Sequence, residues 1–452
     1  MLPPTALNPA FPYATPSIFA STSAAAAAAG AINLGQGFPE EDGPPAVKAA
    51  AADALLGSPQ QYAHPAGTPA LRAALAEHEA GLLGASGGEG PGAGLDPETQ
   101  VLVTAGATEA LAASILALVR PGDEVVLVDP AYDSYAPVVR VAGGIPIPIR
   151  LVPPPPPPAP PSDGDSATGA TTAPPWALPA PAVVAALFKP GRTKLLILNT
   201  PHNPTGHVFS RAELEALAAQ VGRCRGVAAG PTQCVALCDE VYAALALPPH
   251  AHASLATLPG MAGACLRVGS AGKTFSLTGW KVGWVTGPAP LVSAVAGAHQ
   301  FLTFSVPGCL QAGVAHGLVH CRSFIAGLGG DLAAKRARLA PALAAAGFRV
   351  LPSEATYFLT ANAAALMAPG EVDTAFCERL VKEAGVAAIP LSPFYCAAPA
   401  TEAEAAAWAE RGVDALQPRP PTTLVRFCFA KKDGTLDEAA RRLGAYFGRR
   451  GA

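Results

Sequence analysis

Residues 270–284 have the sequence SAGKTFSLTGWKVGW, in which two lysines are set among glycine, serine and threonine. The first lysine, Lys273, comes shortly after an apolar run at residues 266–268. The second, Lys281, directly precedes another apolar run at residues 282–285. A lone lysine is usually a solvated surface charge. The position of Lys273 just beyond an apolar run makes it a candidate site residue instead.

Short apolar runs recur along the chain on both sides of this stretch. They lie at residues 101–103, 124–128, 194–198, 235–238, 266–268 and 282–285, with helical segments between several of them, such as 108–119 and 212–221. Continuous apolar strands that alternate with helices predict an α/β fold with a mainly parallel sheet covered on both faces. In such sheets, ligands bind beyond the carboxyl ends of the strands.

The residues that follow these runs are polar, ionisable or rich in glycine. They are TAGATE (104–109), DPAY (129–132), NTPHNPTG (199–206), DEVY (239–242) and GSAGK (269–273). Because the carboxyl ends of parallel strands meet at one edge of a sheet, this pattern predicts a single site there.

One group of these residues is suited to binding a phosphate. Gly106, Ala107 and Thr108 stand at the start of a helical segment, where backbone N–H groups and the positive helix end attract anions. Ser270 can add a hydroxyl group and Lys281 a positive charge. A glycine-rich turn between a strand and a helix is often only a turn, so the prediction depends on the other site residues.

A second group is suited to an aldehyde cofactor with a pyridine ring. Lys273 supplies an amine for the aldehyde, and Asp239 can pair with a protonated ring nitrogen. Tyr242 and Asn203 can donate hydrogen bonds to a phenolate oxygen, and Tyr132 can stack on the ring. Individually, the aspartate could be a helix cap and the tyrosines packing residues. Their order along the chain favours a common site.

Arg426 adds a guanidinium group to the apolar strand predicted at residues 424–429. Its forked donors can bind an α-carboxylate in two places, whereas a structural arginine would pair with a carboxylate of the protein. His202 and His299 are equally consistent with lining the site and with structural hydrogen bonds.

These motifs, taken in order, resemble the class I aminotransferases of fold type I, which use pyridoxal phosphate. Within that class the resemblance is to the kynurenine aminotransferase, glutamine transaminase K and methionine aminotransferase group. It is carried by INLGQGFP (32–39), VTAGATEAL (103–111), NTPHNPTG (199–206), DEVY (239–242), SAGKTFSLTGWKVGW (270–284), GVAAIPLSPF (385–394) and VRFCFAKKDGTL (425–436).

The resemblance implies a large domain with a mainly parallel seven-stranded sheet and a smaller α+β domain. It implies that Lys273 is the Schiff-base lysine, with Asp239 on the pyridine nitrogen and Tyr242 and Asn203 on the phenolate oxygen. The residues that it implies for the phosphate are Ala107, Thr108, Ser270 and Lys281.

For the substrate, the resemblance implies that Arg426 binds the carboxylate and that the backbone of Gly37 approaches it. It also implies a homodimer in which Tyr62 reaches the phosphate across the interface. The aromatic residues implied to line the pocket are Phe19, Tyr132 and Phe304. Thr108 replaces a tyrosine of the kynurenine-type enzymes, which favours methionine-type relatives.

The implied activity is transamination between a 2-oxo acid and an apolar, sulfur-containing or aromatic L-amino acid of the methionine, glutamine, kynurenine or phenylalanine type. Two alternatives stay open. One is a cysteine-S-conjugate β-lyase or other fold type I lyase, since elimination shares the same proton abstraction. The other is a non-catalytic binding or regulatory protein on this fold, which the intact Lys273 and the absence of a basic N-terminus disfavour.

The change in periodicity along the chain predicts three parts. Residues 1–36 join a small domain, residues 37–310 form the large cofactor-binding domain, and residues 311–452 form the small domain. The small domain is predicted to contain helices at 331–345 and 372–384 and short strands at 357–359 and 424–429. Insertions are predicted at 84–94, at the proline-rich residues 153–175, and at 397–421, where 401–411 has helix potential.

Composition excludes several classes of function. The net charge of −3 and the lack of a basic cluster disfavour nucleic-acid and membrane-surface partners. No apolar run reaches the roughly 18–20 residues that span a bilayer. Nine scattered cysteines without zinc spacing predict free thiols and no metal site. The N-terminus has no basic signal region, so we expect a cytoplasmic protein, with organelle import left open.

Overall fold

The structure is a computed structural model that describes residues 17–85, 94–155, 175–226, 233–396 and 398–448. Its strands are β1 (Ile32–Asn33), β2 (Val101–Thr104), β3 (Glu124–Asp129), β4 (Ile145–Arg150), β5 (Thr193–Asn199), β6 (Val235–Asp239), β7 (Cys265–Ser270), β8 (Gly283–Thr286), β9 (Arg349–Val350), β10 (Phe358–Asn362), β11 (Val386–Ala387), β12 (Ile389–Pro390) and β13 (Leu424–Cys428). Its α-helices are α1 (Ile18–Ala29), α2 (Pro45–Gly57), α3 (Pro69–Ala85), α4 (Ala107–Leu118), α5 (Tyr135–Val141), α6 (Pro181–Leu187), α7 (Arg211–Gly226), α8 (Ala271–Thr274), α9 (Ala289–Leu302), α10 (Gly308–His320), α11 (Arg322–Ala345), α12 (Asp373–Arg379), α13 (Glu402–Arg411), α14 (Val413–Leu416) and α15 (Asp433–Gly448).

Seven strands form the main sheet, in the order β2-β8-β7-β6-β5-β3-β4. Strand β8 runs antiparallel to both of its neighbours, and the other neighbouring pairs are parallel. The predicted α/β fold with a mainly parallel sheet is therefore confirmed. The six predicted strands correspond to β2, β3, β5, β6, β7 and β8.

Both faces of this sheet are buried, which explains why its strands are apolar without alternation. In β5, Leu195 and Ile197 enter a core that also contains residues of α4 and α9. Leu196 and Leu198 enter a second core on the opposite face, with residues of α6 and α7. Successive side chains of a strand point to opposite faces, so a strand between two helical layers must be apolar at every position.

Strand β4 was not predicted, because its sequence, IPIPIR, carries two prolines. It lies at the edge of the sheet, where α13 and α14 cover it. Trp408 Nε1 donates to the carbonyl of Pro146 at 2.8 Å, and Gln417 Nε2 donates to that of Pro148 at 3.0 Å. Since the N and C=O of one strand residue point to the same side, the missing N–H groups face away from β3 and cost no ladder hydrogen bond.

The predicted insertion at 397–421 thus covers a sheet edge. Its predicted helix is confirmed as α13, whose first turn Thr401 caps by accepting a hydrogen bond from the backbone of Glu404. Residues 156–174 of the proline-rich insertion and residues 86–93 of the glycine-rich one lie outside the described residues, so the predicted polyproline or disordered loop is not described.

The C-terminal part of the chain forms a smaller α+β unit. Its four-stranded sheet has the order β12-β13-β10-β9, and its neighbouring strands are antiparallel. The predicted helix at 372–384 is α12 followed by a π-helical turn, Leu380–Ala384. Strand β1 pairs in parallel with β11, which ties the N-terminal segment to this unit. The exact domain boundaries stay a prediction.

Two further features concern the described ranges only. None of their helices is long and apolar enough to cross a membrane. They contain no group of three or more His, Cys, Asp or Glu placed to hold a metal ion.

The covered edge leads to a stability prediction. Gln417 accepts from the backbone N–H of Arg150 at 2.6 Å and donates to the carbonyls of Pro148 and Val413, so Gln417→Ala removes a side-chain partner from three buried backbone groups. We expect the apparent free energy of unfolding in urea to fall by about 1–3 kcal/mol. The control is Leu416→Ala, an exposed neighbour, for which we expect a change within about 0.5 kcal/mol. Equal stabilities of the two variants would contradict the edge-covering role.

Candidate active site

A cleft opens at the carboxyl ends of the parallel strands, between these ends and the start of α4. It is lined by Gly106, Ala107, Thr108, Leu111, Tyr132, Asn199, Asn203, Asp239, Val241, Tyr242, Ser270, Gly272, Lys273, Thr278, Lys281 and Val282. Of the residues predicted to bind the cofactor, all but Tyr62 are in this set. The structure therefore brings together, in one cleft, residues from five separate segments of the chain.

The end of the cleft that is predicted to bind phosphate contains two glycines in close contact with their neighbours. Gly106 has a φ of +81° and precedes α4, which has no side-chain cap. A Cβ atom at Gly106 would lie 3.3 Å from Lys281 Nζ, and one at Gly283 would lie 2.6 Å from the backbone N of Ala107. Because both positions are glycine, the Lys281 ammonium can lie close to the uncapped start of α4. Free N–H groups, a helix dipole and a cation together favour a bound anion.

Asp239 ends β6 and is 5% exposed. The hydroxyl of Tyr135 donates to its Oδ2 at 2.5 Å, and the backbone N–H of Val241 donates to its Oδ1 at 3.4 Å. Burial raises the pKa of Asp239 to about 6, and the Tyr135 hydrogen bond limits this rise. The carboxyl group is thus ionised at neutral pH while both groups that donate to it are neutral. A buried carboxylate in this state favours a cationic ligand.

Lys273 extends from the short helix α8 towards two tyrosines. Its Nζ lies 3.0 Å from the hydroxyl of Tyr357 and 5.6 Å from the ring centre of Tyr242. Burial raises the pKa of Tyr242 well above its usual value. Tyr242 therefore keeps its proton, and its side chain lines the cleft and also hydrogen-bonds to that of Tyr357.

Arg426, in β13, lies beneath the cleft and is 1% exposed. Its Nη1 donates to Asn203 Oδ1 at 2.8 Å, and its Nη2 donates to the carbonyl of Gly35 at 3.1 Å. Because arginine only donates, the amide oxygen of Asn203 must face it, which leaves the Asn203 NH₂ group free to donate elsewhere. Burial lowers the pKa of Arg426 to about 10, so it stays charged at neutral pH.

Aromatic rings surround this guanidinium. Its Cζ lies 3.9 Å from the ring centre of Phe358, 5.1 Å from that of Phe394 and 5.3 Å from that of Phe19. A Cβ atom at Gly37 would lie 2.8 Å from Phe358 Cε1, so this position has no room for a side chain. Phe19 and Gly37 therefore lie beside Arg426, as predicted for substrate-binding residues, although their roles stay predictions.

Two predicted site residues, Tyr62 and Phe304, are neither in the cleft lining nor in the group around Arg426 described above. Tyr62 is 85% exposed and Phe304 is 41% exposed, and their rings contact each other at 5.3 Å with an interplanar angle of 89°. The role predicted for Tyr62 requires a second subunit, and it stays a prediction.

Sequence reasoning missed Tyr135 and Tyr357. The first had a usable signal, since it stands three residues after Tyr132 at the end of a predicted strand, and their rings lie 5.7 Å apart. Tyr357 had no local signal, because only tertiary packing brings it to Lys273.

The two histidines make structural contacts: His202 Nδ1 lies 2.8 Å from Thr205 Oγ1. His299 lies 3.0 Å from both Glu109 Oε1 and the carbonyl of Pro65.

The sequence of residues 29–443 matches the family described as aminotransferase class I and II. The chain belongs to this family. A probable N-succinyldiaminopimelate aminotransferase of Mycobacterium tuberculosis is 42% identical over 435 residues, with 96% of each chain covered. A kynurenine–oxoglutarate transaminase of Dictyostelium discoideum is 34% identical, with 94% of this chain and 92% of the relative covered. A solved Escherichia coli structure reported to have a methionine aminotransferase function is 36% identical, with a TM-score of 0.79 and coverage of 98% and 100%.

Class I and II aminotransferases with this fold depend on pyridoxal phosphate. The cleft of this aminotransferase fits that cofactor on three independent observations. The uncapped start of α4 with Lys281 suits the phosphate, and the buried Asp239 carboxylate suits a protonated ring nitrogen. Lys273 lines the same cleft, and its amine would suit the aldehyde. These residues would hold the cofactor, which supplies the electron-accepting ring.

The Tyr135 hydrogen bond leads to a prediction about pH. Cofactor binding to the cofactor-free protein should weaken as the pH falls through about 6, because the Asp239 carboxylate must be ionised to pair with the ring. Tyr135→Phe removes a donor that stabilises the carboxylate and raises the pKa of Asp239. We therefore expect the midpoint of cofactor binding, measured by absorbance titration against pH, to move to higher pH.

Tyr132→Phe is the matched control, since the Tyr132 side chain hydrogen-bonds to Thr108 and makes no such bond to Asp239. Both variants share the titration of the cofactor phosphate, and only Tyr135→Phe removes a hydrogen bond to Asp239. A midpoint that is the same in Tyr135→Phe as in the control would contradict this assignment.

Proposed function

We propose that this aminotransferase moves amino groups between 2-oxo acids and L-amino acids with apolar, sulfur-containing or aromatic side chains. The observation that carries the proposal is Arg426, a charged guanidinium buried among three phenylalanine rings with neutral hydrogen-bond partners. Its Nε has no hydrogen-bond partner among the described residues. Asp133 interacts with Arg426 electrostatically, but the guanidinium forms no hydrogen bond to a carboxylate among the described residues. A buried cation without a hydrogen-bonded carboxylate is costly, and binding of a substrate carboxylate would offset that cost.

The walls beside Arg426 support an apolar substrate side chain. Phe19, Phe358 and Phe394 offer apolar surface and no charge. In the described part of the cleft and its floor, the cations are Lys273, Lys281 and Arg426. Each of them has a proposed partner in the cofactor or the α-carboxylate. A second carboxylate on the substrate would find no further cation among the described residues of the cleft and its floor, so aspartate should be a poor donor.

The chain's own groups divide the chemical work. Lys281 and the α4 start hold the phosphate, while Asp239 holds the ring nitrogen protonated. Tyr242 and the NH₂ group of Asn203 donate to the ring oxygen. Lys273, once its amine is free, would act as the general base that takes the Cα proton of the substrate and holds it on Nζ for return. The bound cofactor supplies the aldehyde for attachment and the ring that accepts the electron pair.

We also propose that the enzyme works as a homodimer. Tyr62 and Phe304 lie exposed beside Phe301, which is 85% exposed, and Leu302, which is 50% exposed. Such a contiguous apolar surface is unusual on a monomer. A second copy that covered it would bring Tyr62 towards the partner's phosphate site.

Two other functions are candidates for the same cleft. N-succinyldiaminopimelate is an alternative donor, because a relative with 42% identity is named a probable N-succinyldiaminopimelate aminotransferase. It carries carboxylates beyond its α-carboxylate, so its efficient use would contradict the proposed preference for apolar side chains. Elimination from cysteine S-conjugates is a candidate because the base and the electron-accepting ring are the same for transfer and elimination. Pyruvate and ammonia as products would indicate elimination, whereas an oxo acid with a new amino acid indicates transfer.

Single-turnover absorbance measurements test these proposals together. We expect methionine to convert the cofactor band of the purified enzyme to its amine form at least about ten-fold more efficiently than aspartate, as one lost charge pairing predicts. N-succinyldiaminopimelate is measured in parallel. Lys273→Ala should give no conversion with any donor, whereas Lys281→Ala should bind cofactor more weakly and still convert it at saturation. A clear preference for aspartate, or conversion by Lys273→Ala, would refute the proposal.

A further inference from the structure

The amine of Lys273 hydrogen-bonds to a buried tyrosine that is not among the residues predicted to contact the cofactor. Lys273 Nζ lies 3.0 Å from the hydroxyl of Tyr357, which is 1% exposed. The same hydroxyl lies 3.0 Å from the carbonyl oxygen of Gly37, to which it donates. Tyr357 therefore joins the lysine to the backbone of the segment that lies beside Arg426.

The chemistry of the three groups fixes the direction of both hydrogen bonds. A phenol has one proton, and a carbonyl oxygen can only accept, so the Tyr357 proton is committed to Gly37. Towards Lys273, the Tyr357 oxygen must therefore accept. A neutral amine that donates one N–H to this oxygen keeps its lone pair for another proton. Tyr357 can thus orient the amine without competing for the lone pair that acts as the base.

The position of Tyr357 shows on which side it holds the amine. Lys273 lines the cofactor cleft and also a second cavity behind it. Tyr357 is among the residues that line the second cavity, together with Leu245, Leu328 and Leu332, and it is not among those that line the cofactor cleft. The hydrogen bond thus holds the amine at the boundary between the two spaces.

Tyr357 is itself held firmly. Its ring packs edge-to-face against Tyr242 at 5.7 Å and against Phe358 at 4.7 Å. Its carbonyl accepts from the backbone N–H of Phe429 at 2.9 Å, and the backbone N–H of the preceding Thr356 donates to the carbonyl of Leu245 at 2.9 Å. A side chain fixed on this many sides can hold a reacting group in one orientation.

We propose that Tyr357 is a positioning residue that holds the free Lys273 amine with its lone pair ready for the Cα proton of the substrate. The lone pair takes the proton, and the electron pair of the C–H bond passes to the cofactor ring. Through Gly37, the same hydroxyl links the position of the amine to the segment beside the carboxylate-binding Arg426. The inference rests on the proposed role of Lys273 as the general base.

The test compares Tyr357→Phe with Tyr395→Phe in the full-length enzyme. Tyr395 is also buried, but its hydroxyl has no hydrogen-bond partner among the described residues, so it controls for the loss of a buried hydroxyl. For Tyr357→Phe, we expect kcat with methionine to fall about ten-fold or more and KM to stay within about two-fold. The isotope effect with Cα-deuterated methionine should rise, because proton transfer becomes slower relative to the other steps.

A second readout does not depend on turnover. The cofactor-free Tyr357→Phe protein should capture pyridoxal phosphate covalently several-fold more slowly than the wild type, since the amine has lost its fixed orientation. Tyr395→Phe should match the wild type in capture rate, kcat and isotope effect.

Two results would overturn the inference. One is a Tyr357→Phe enzyme that equals the wild type in kcat, isotope effect and capture rate. The other is an equal loss in both variants, which would mean that any buried hydroxyl has this effect. If Tyr357→Phe does not fold, 3-fluorotyrosine at position 357 replaces it. Its oxygen is a weaker acceptor, so a smaller change in the same direction supports the inference and no change overturns it. Failure of the proposed function would appear in the wild type itself, as absent cofactor capture or turnover.

Discussion

The carboxylate of Asp239 lies at the end of β6, the central strand of the seven-stranded sheet, where almost no solvent reaches it. Burial of a carboxylate is unfavourable, and the two neutral groups that donate to it offset only part of that cost. The site therefore requires a cation in a fixed place. A protonated pyridine nitrogen would meet this requirement, and the bound cofactor would then supply the electron-accepting ring that amino-group transfer needs.

The parallel sheet determines which other groups surround that ring. Beside β6, Asn203 follows β5, Ser270 ends β7 and Lys273 follows β7. The turn after β2 leads into α4, whose first N–H groups are suited to an anion. Arg426 comes from the smaller sheet, so the carboxylate site depends on the contact between the two sheets. In the proposed complex, the buried Asp239 would pair with the cofactor ring and the buried Arg426 with the substrate carboxylate.

Much of this arrangement could be predicted from sequence because it depends on local pattern. Apolar runs marked six of the seven strands, and the residues after them marked most of the cleft. Strand β4 was not predicted, because its prolines are tolerated only at a sheet edge, which Trp408 and Gln417, distant in sequence, cover. The role of Tyr357 was not predicted either, because its contact with Lys273 joins segments that are distant in sequence and no local pattern indicates it. The exposed Tyr62 shows the remaining limit, since its predicted place requires a second chain.

The most direct test of the proposed pairing between Asp239 and the cofactor is the protonation state of the cofactor ring nitrogen. Enzyme reconstituted with pyridoxal phosphate labelled with ¹⁵N in the ring can be measured by NMR at about pH 8, in the wild type and in Asp239→Asn. If the buried Asp239 carboxylate holds the ring, the wild-type nitrogen shift should be that of a protonated pyridine, and the variant should show the unprotonated value. An unprotonated nitrogen in the wild type, or the same shift in both proteins, would contradict the account.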